Sequence, residues 1–285
     1  MASASLPRIS IVTPSYNQGA YIEATVRSVL MQRYPDVEYV VMDGGSKDDT
    51  MQRLEPYRAQ LAHLQSAPDG GQSAAIADGF SRTTGEIMAY LNSDDILLPG
   101  ALHFVADYFR RHPEVDFIYS HRAVMDENGR VIGHWILPRH SSHLMRRWDL
   151  IPQETCFWRR RLFERAGNVD PSYRFAMDYD LFVRFMAHGR MARVDRFLAA
   201  FRVHTTSKTS TQLTTIGEEE IRRVRRTYRL WSPAVVGYFF SAWVQFRSAL
   251  FLRRREAVAG LPPGAGYPIG DAWAGLLMSQ TTGNP

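Results

Sequence analysis

The 285-residue sequence contains a single cysteine, Cys156. One thiol excludes an internal disulfide and a zinc cluster built from cysteines, and it suits a reducing compartment. The N-terminus shows no basic segment followed by an apolar one, so no secretory signal is predicted. We therefore expect a cytoplasmic protein.

Two phosphate-binding motifs are also missing. No G-x-G-x-x-G follows the first predicted strand, and no G-x-x-x-x-G-K-[ST] occurs anywhere. Dinucleotide-dependent oxidoreductases and P-loop kinases therefore lose their main sequence support. The net charge of +5, from 34 Lys+Arg and 29 Asp+Glu, is modest. Charge thus gives no argument for a nucleic-acid partner, and none is expected.

No long apolar run is free of polar interruption. The most apolar window, residues 234–252, approaches the length of a membrane span but contains Gln245 and Arg247. This pattern is typical of a helix lying in the interface of an anionic membrane, on the inner face of the plasma membrane for a cytoplasmic protein. A helix packed on the domain or in a homodimer is the alternative, and both stay open. The flanking basic clusters are Arg222, Arg223, Arg225, Arg226 and Arg229, and then Arg253, Arg254 and Arg255.

Short apolar runs alternate with segments of helical period in the first half of the chain. This alternation predicts an α/β fold with a mostly parallel sheet flanked by helices, followed by a C-terminal helical extension. Strands are predicted at 9–13, 37–42, 86–91, 116–120 and 198–204, with a hairpin around Asn128-Gly129. Helices are predicted at 21–32, after 50, at 72–80, after 99, at 160–166, from 178, and from 216 onward.

The strand at 86–91 runs into two adjacent carboxylates, Asp94 and Asp95. Charges at the end of a buried strand are costly unless a partner such as a divalent cation with a bound phosphate compensates them. The alternative is that one of them caps the helix after Pro99. The turn at 13–15 and Asp43 follow neighbouring strands, and ligands of parallel sheets bind at such ends. Convergence of three strand ends favours a ligand site.

Four segments in order resemble the inverting family 2 glycosyltransferases with the GT-A fold. They are residues 9–17 (ISIVTPSYN), 43–50 (DGGSKDDT), 92–95 (NSDD) and 177–181 (MDYDL). The resemblance implies a catalytic domain at 1–215, with a nucleotide-binding half at about 8–98 and an acceptor-binding half at about 99–215. Outside it lie the predicted extension at 216–260 and a tail at 261–285.

The resemblance also implies the reaction. A nucleotide-diphospho-sugar, with UDP favoured, would donate one sugar with inversion to a hydroxyl of a glycan or lipid-linked acceptor in surface polysaccharide biosynthesis. Processive members carry Q-x-x-R-W after the catalytic base. Here Leu144 takes the Gln position, and the Arg147-Trp148 pair precedes the base. This departure favours the addition of one sugar per event.

The nucleotide contacts implied by the resemblance lie at three strand ends and on the loop that contains Asp69 and Gly71. A carboxylate such as Asp43 suits the role, because it accepts hydrogen bonds from a ribose or a uracil N–H. The alternative for Asp43 is a turn former before two glycines. The residues that resemble these contacts are Thr13, Pro14, Ser15, Asp43, Asp69, Gly71 and Asp94.

The metal ligands are implied by the Ser-Asp-Asp form of the family's Asp-x-Asp site. Asp95 is then the direct ligand of Mn²⁺ or Mg²⁺, and Asp94 contacts the ribose or a metal-bound water. His204 resembles a late histidine that reaches the metal or the diphosphate, and imidazole suits manganese better than magnesium. A structural role is the alternative for His204.

Asp178 matches the family's catalytic base, although Met177 stands where an acidic residue usually precedes it. The reaction needs a carboxylate opposite the leaving group to take the proton of the attacking hydroxyl. The competing interpretation is a helix cap, and we assign that role to Asp180. Residues 153–155 (QET) are expected to line the acceptor site.

Two other function classes stay open. A sugar nucleotidyltransferase would also use an α/β fold with a metal carboxylate, but the glycine-rich basic phosphate loop typical of that class is missing from residues 13–19. A catalytically inactive relative would bind a nucleotide sugar, or a membrane partner through residues 216–255. The full set of carboxylates argues against an inactive protein.

Overall fold

The computed structural model describes residues 6–230 together with Phe239, Ala242, Trp243 and Phe246. Its strands are β1 (Ile9–Ser15), β2 (Val37–Asp43), β3 (His63–Ser66), β4 (Ile87–Tyr90), β5 (Ile96–Leu97), β6 (Phe117–Met125), β7 (Val131–Trp135), β8 (Phe157–Arg159) and β9 (Met191–Arg202). Its α-helices are α1 (Gly19–Leu30), α2 (Thr50–Leu54), α3 (Gln72–Ser81), α4 (Ala101–Arg111), α5 (Ser142–Met145), α6 (Arg160–Ala166), α7 (Met177–His188), α8 (Lys208–Gln212) and α9 (Glu218–Thr227). Short 3₁₀ segments cover Glu55–Gln60 and Gln153–Thr155, and a π turn covers Leu213–Gly217.

One sheet connects the two halves of the chain, in the order β3-β2-β1-β4-β8-β6-β9-β5, with β7 added on β6. In the first half β1 pairs with β2 and β4, and β2 with β3, all in parallel. In the second half β8 runs antiparallel to both β4 and β6, while β6 and β9 are parallel. The predicted α/β class with flanking helices is confirmed, and the parallel part belongs mainly to the first half.

The strand β1 is buried along its whole length because both faces of the sheet are covered. Alternate residues of a strand point to opposite faces, so Ile11 and Val12 belong to two different core clusters. The Val12 cluster includes Phe80 of α3 and Trp158 of β8. The Ile11 cluster packs against α1 and α4. Helices packed on both faces of the sheet therefore fix the positions of the strand ends.

The predicted elements occur near their expected positions. The first strand continues to Ser15, so residues 13–15 end a strand instead of forming a turn. The late strand, β9, begins at Met191 and ends at Arg202, before His204. The strands β3, β5 and β8 were not predicted, because runs of two to four residues carry too little periodicity.

The predicted C-terminal extension is described only in part. Its first helix, α9, packs on the domain: Val224 is fully buried in the Val12 cluster, and Ile221, Tyr228 and Leu230 pack against the same cluster. The division at residue 215 stays a prediction. The tail at 261–285, and all but four residues of 231–260, lie outside the described residues. In the described part of the chain, no helix is long and apolar enough to cross a membrane.

Candidate active site

The end of β1 places three predicted nucleotide contacts at the carboxyl edge of the sheet. The Thr13 hydroxyl is buried and lies 2.9 Å from the Tyr39 hydroxyl, so its partner belongs to the core. Pro14 is also buried. The Ser15 Oγ is buried and has no hydrogen-bond partner within residues 6–230. Tyr16, 57% exposed, follows it at the rim. The unpaired Ser15 hydroxyl is therefore the group of this strand end that suits a ligand.

Asp43 ends β2 and is only 2% exposed. Its Oδ2 accepts hydrogen bonds from the Gly45 N–H at 3.1 Å, the Ser46 N–H at 2.9 Å and the Ser66 Oγ at 2.6 Å. Its Oδ1 accepts one from the Ser46 Oγ. The carboxylate therefore orders the loop after β2, as the turn-former alternative expects. A contact with a base or ribose stays a prediction.

Asp69 and Gly71 form the loop between β3 and α3. The Gly71 N–H donates to Asp69 Oδ1 at 2.7 Å, and Gly71 adopts φ +97°, a conformation that favours glycine. A Cβ on Gly44 would lie 3.1 Å from the Asp69 carboxylate, so the β2 and β3 loops contact each other. Together these loops border one side of the strand-end edge.

Asp94 and Asp95 are joined to the end of β9. His204 Nε2 lies 3.0 Å from Asp94 Oδ2, and the His204 ring packs on Tyr21 with centroids 4.7 Å apart. Asp95 is 1% exposed, and its Oδ1 accepts the Arg202 N–H at 2.9 Å. Burial, then the charge of Asp94, raises the pKa of Asp95 well above its usual range. The helix α4 has Gly100 as its N-cap and no capping side chain, so neither carboxylate caps it.

These contacts can be compared with the predicted metal site. The structure pairs His204 with Asp94, the residue predicted to contact ribose or water, and it places Asp95 against the backbone of β9. Within the described residues no group of three or more His, Cys, Asp or Glu side chains is arranged to hold a metal ion by itself. Mg²⁺ and Mn²⁺ sites often use one or two carboxylates and complete the shell with phosphate oxygens and water. The donor types of Asp94, Asp95 and His204 suit such an ion, and their role as its ligands stays a prediction.

Asp178 lies in the first turn of α7 and is partly buried. Burial raises its pKa to about 6; Arg122 opposes this rise and Glu154 adds to it. Asp180 does not cap the helix: its Oδ2 accepts from Arg184 at 2.7 Å, and its Oδ1 accepts from the Tyr228 hydroxyl at 2.8 Å. The cap predicted for Asp180 is therefore wrong, because these two partners occupy its carboxylate. The groups that interact electrostatically with Asp178 are Glu154, Arg122, Asp149, Lys208, Tyr90 and Cys156.

A chain of amide side chains crosses the site between the two halves. Gln153 donates to the Tyr90 carbonyl at 2.8 Å and accepts from Asn92 at 3.2 Å. Asn92 accepts from Gln72 at 2.7 Å, and Gln72 accepts from Lys208 Nζ at 2.6 Å. Residues 153–155 were expected to line the acceptor site, and that role stays a prediction; Gln153 contacts Asn92, two residues before Asp94. Nothing in the sequence pointed to Gln72 or Lys208, whose roles depend on contacts between distant segments.

The sequence also gave no indication of Arg122, a strand residue of β6. Arg122 forms a two-pronged ion pair with Glu154, with both N–O distances 2.7 Å. Its guanidinium lies 4.7 Å from the Trp135 ring and 4.6 Å from the Phe201 ring. The charge of Arg122 lowers the pKa of both Asp95 and Asp178, opposing the larger effect of burial. The Arg122 guanidinium therefore offsets part of the negative charge of Asp95 and Asp178.

Comparisons with known proteins agree on one family. The sequence model for glycosyl transferase family 2 matches residues 10–169. An uncharacterized glycosyltransferase from Nostoc is 25% identical over 228 residues, which cover 75% of this chain and 70% of the relative.

Solved structures show the same fold. Residues 1–349 of TarS from S. aureus, in complex with UDP-GlcNAc, match with a TM-score of 0.58 at 20% identity, over 77% of this chain and 65% of that one. A mannosyltransferase from Pyrobaculum calidifontis, in complex with GDP-Man and Mn²⁺, matches with a TM-score of 0.58 at 18% identity, over 98% and 80% of the two chains. The predicted GT-A-like architecture is confirmed.

The Arg122–Glu154 pair generates a stability prediction. Removal of one partner leaves a buried charge without compensation, so we expect Glu154→Leu to lower the free energy of unfolding by about 3–5 kcal/mol. Arg122→Met should lower it comparably, and the double variant should lose clearly less than the sum. Urea denaturation of the three variants measures this coupling. The exposed pair Asp78–Arg82 serves as the matched control, with a loss of about 1 kcal/mol or less. Additive losses at Arg122 and Glu154 would contradict the interpretation.

Proposed function

Because this chain belongs to glycosyl transferase family 2, we propose that it transfers one sugar from a nucleotide-diphospho-sugar, with UDP favoured, to a hydroxyl acceptor. One observation carries the proposal. A carboxylate with a pKa of about 6, Asp178, shares a group of interacting charges with Asp95, Glu154 and Arg122 at the carboxyl edge of the sheet. A base and a diphosphate site are the two parts that such a transfer requires.

Asp178 is the proposed base. It takes the proton of the acceptor hydroxyl while the hydroxyl oxygen attacks the anomeric carbon, and the nucleotide diphosphate leaves from the opposite face with inversion. A base with a pKa near 6 is mostly ionised at neutral pH, and it binds the proton more strongly than an ordinary carboxylate does. A positioned base contributes roughly 100- to 10,000-fold to the rate.

Mn²⁺ or Mg²⁺ is the proposed cofactor. Asp95 would be the direct ligand, and Asp94 with His204 would lie beside it. When bound, the ion would offset the negative charge that builds up on the leaving diphosphate. The raised pKa of Asp95 supports a cation here, because a buried carboxylate needs a positive partner in order to ionise. The complexes of the two solved relatives, one with UDP-GlcNAc and one with GDP-Man and Mn²⁺, support a nucleotide sugar and a divalent metal.

The nucleotide end of the proposed site is the edge formed by β1, β2 and α3. The unpaired Ser15 hydroxyl and the Asp69–Gly71 loop would face the base and ribose. Asp43 would act mainly through the order it gives to the neighbouring loop. Thr13 and Pro14 would contribute through the backbone and shape of the strand end, because their side chains are buried.

The acceptor side is proposed more broadly. Relatives include chondroitin synthase from Escherichia coli, which is 27% identical over 197 residues but of which this chain covers only 28%. This relative supports a glycan or lipid-linked acceptor in surface polysaccharide biosynthesis.

We also propose peripheral attachment to the inner face of the plasma membrane. Phe239, Trp243 and Phe246 support it, since each is helical and they are 41–66% exposed.

Replacement of Asp178 by Asn tests the proposed reaction. We expect nucleotide diphosphate release from a panel of UDP- and GDP-sugars with Mn²⁺ to fall roughly 100- to 10,000-fold, because water or acceptor loses its base. The donor dissociation constant, measured by calorimetry, should change little. Asp78→Asn makes the same chemical change on the exposed face of α3 and should behave as the wild type.

Other outcomes of this assay point elsewhere. An Asp178→Asn enzyme that retains most of its activity would refute the base assignment. Pyrophosphate release from a nucleoside triphosphate and a sugar phosphate would indicate a nucleotidyltransferase. Wild-type protein that binds a nucleotide sugar without turnover on any acceptor would indicate an inactive relative.

The pH dependence follows from the pKa of Asp178. Protonation removes the base, so kcat/KM for the donor should fall as pH drops through about 6, by about tenfold per pH unit below it. Above pH 7 the rate should be nearly constant on this side of the profile. Initial rates between pH 4.5 and 8 measure this acid limb of the pH profile. A limb near pH 4, the value of an ordinary aspartate, would contradict the proposed environment of Asp178.

Membrane attachment is tested by truncation after Leu230, which keeps α9 and its buried Val224. The full chain should cosediment with vesicles of anionic lipid, and the truncated chain should stay in the supernatant with an unchanged melting temperature. Vesicles of zwitterionic lipid are the control for electrostatic attraction. A truncated chain that still binds would contradict the proposal, and a truncation that instead changes the oligomeric state would favour the homodimer alternative.

A further inference from the structure

The helix that carries Asp178 begins without a cap from its own segment. The N-cap residue of α7 is Ala176, whose methyl side chain makes no capping hydrogen bond. The backbone that leads into the helix binds Glu220 of α9 instead. The Glu220 carboxylate accepts the N–H groups of Arg174 at 2.8 Å, Phe175 at 2.8 Å and Ala176 at 2.9 Å. Successive N–H groups that converge in this way form a concave anion site, here occupied by a side chain.

Several further contacts hold the same loop. Arg223, also on α9, donates to the Ser172 hydroxyl at 2.8 Å and lies 4.3 Å from the centre of the Tyr173 ring. Lys208 Nζ of α8 donates to the Arg174 carbonyl at 2.7 Å. A Cβ on Gly217 would lie 3.0 Å from the Phe175 ring, so glycine lets α9 approach this closely. Residues 172–176 are therefore held by contacts from the segment that follows His204.

We propose that Glu220 is a positioning residue for Asp178, so that α9 is a working part of the catalytic unit. Asp178 stands two residues after Ala176, the last residue that Glu220 binds. A carboxylate in the first turn of a helix moves with the backbone that enters the helix. The proposal rests on the proposed function, because it assumes that Asp178 is the base.

The charge and the geometry of Glu220 both matter. The side chain is 9% exposed, and its two oxygens receive three N–H groups. A glutamine has the same size but presents one acceptor oxygen and one NH₂ group. The NH₂ group would face a backbone N–H without an acceptor between them, so Glu220→Gln breaks the arrangement with almost no change in volume.

The experiment compares Glu220→Gln with Glu219→Gln, the same chemical change on an exposed residue of the same helix. We expect Glu220→Gln to lower kcat roughly 10- to 100-fold through misplacement of the base, with the donor KM within about threefold. The acid limb of the pH profile should move to lower pH, because a loosened first turn admits water to Asp178. Glu219→Gln should match the wild type in rate and pH profile.

A second measurement does not depend on turnover. Hydrogen exchange at the amides of 174–176 should be at least about tenfold faster in Glu220→Gln, with exchange in β1 and β4 unchanged. General loss of stability would instead speed exchange throughout and leave the acid limb in place. Faster exchange throughout with an unchanged acid limb would overturn the proposal. So would a Glu220→Gln enzyme with the rate and the acid limb of the wild type.

The two proposals fail in different ways. If Asp178→Asn keeps its activity, the base assignment is lost whatever Glu220 does. If Asp178→Asn is inactive while Glu220→Gln retains the wild-type rate and acid limb, only the positioning role is lost.

Discussion

Carboxylates gathered at one buried edge of the sheet are the constraint on which the rest of the site depends. Glu154 repels both Asp95 and Asp178, and burial makes the charges of these two aspartates costly. Arg122 is held among them by two hydrogen bonds to Glu154 and by the faces of Trp135 and Phe201. It lowers the cost for all three acids but does not remove it. The negative charge that Arg122 does not offset is what makes this edge suitable for a cation and for proton transfer.

The sheet topology brings these charges together. The parallel strands β1, β2 and β4 end on one edge, which is where Ser15, Asp43 and the Asp94–Asp95 loop lie. The parallel pair β6 and β9 belongs to the second half, and β8 joins it to β4 through antiparallel pairing. β5 directly follows Asp95 and pairs antiparallel with β9, so the end of β9 reaches Asp94 and Asp95 across more than a hundred residues of chain. Neither half holds the complete set of groups alone.

The outcome shows what local sequence can and cannot predict. Apolar runs and turn formers located β1, β2 and β4 and the carboxylates after β2 and β4, because a few adjacent residues determine a buried strand and its end. The function of Arg122 was not predictable, since its partners come from three other segments. Asp180 failed as a cap because α7 already begins at Met177, and a distant residue, Tyr228, takes one of its oxygens. Side-chain roles at this site are decided by non-local contacts.

The cap supplied by Glu220 also bears on the basicity of Asp178. Backbone N–H groups that donate to a carboxylate favour its ionised form and lower its pKa. The N–H groups of residues 174–176 donate to Glu220, so they do not donate to Asp178. Asp178 keeps such bonds from Tyr179, at 2.8 Å, and from its own backbone, and its position in the first turn of α7 adds a further pull toward the ionised form. Burial outweighs both, because the pKa still rises to about 6. A local acidic cap would have added charge beside the base, whereas a cap from α9 satisfies the backbone from the other side of the loop.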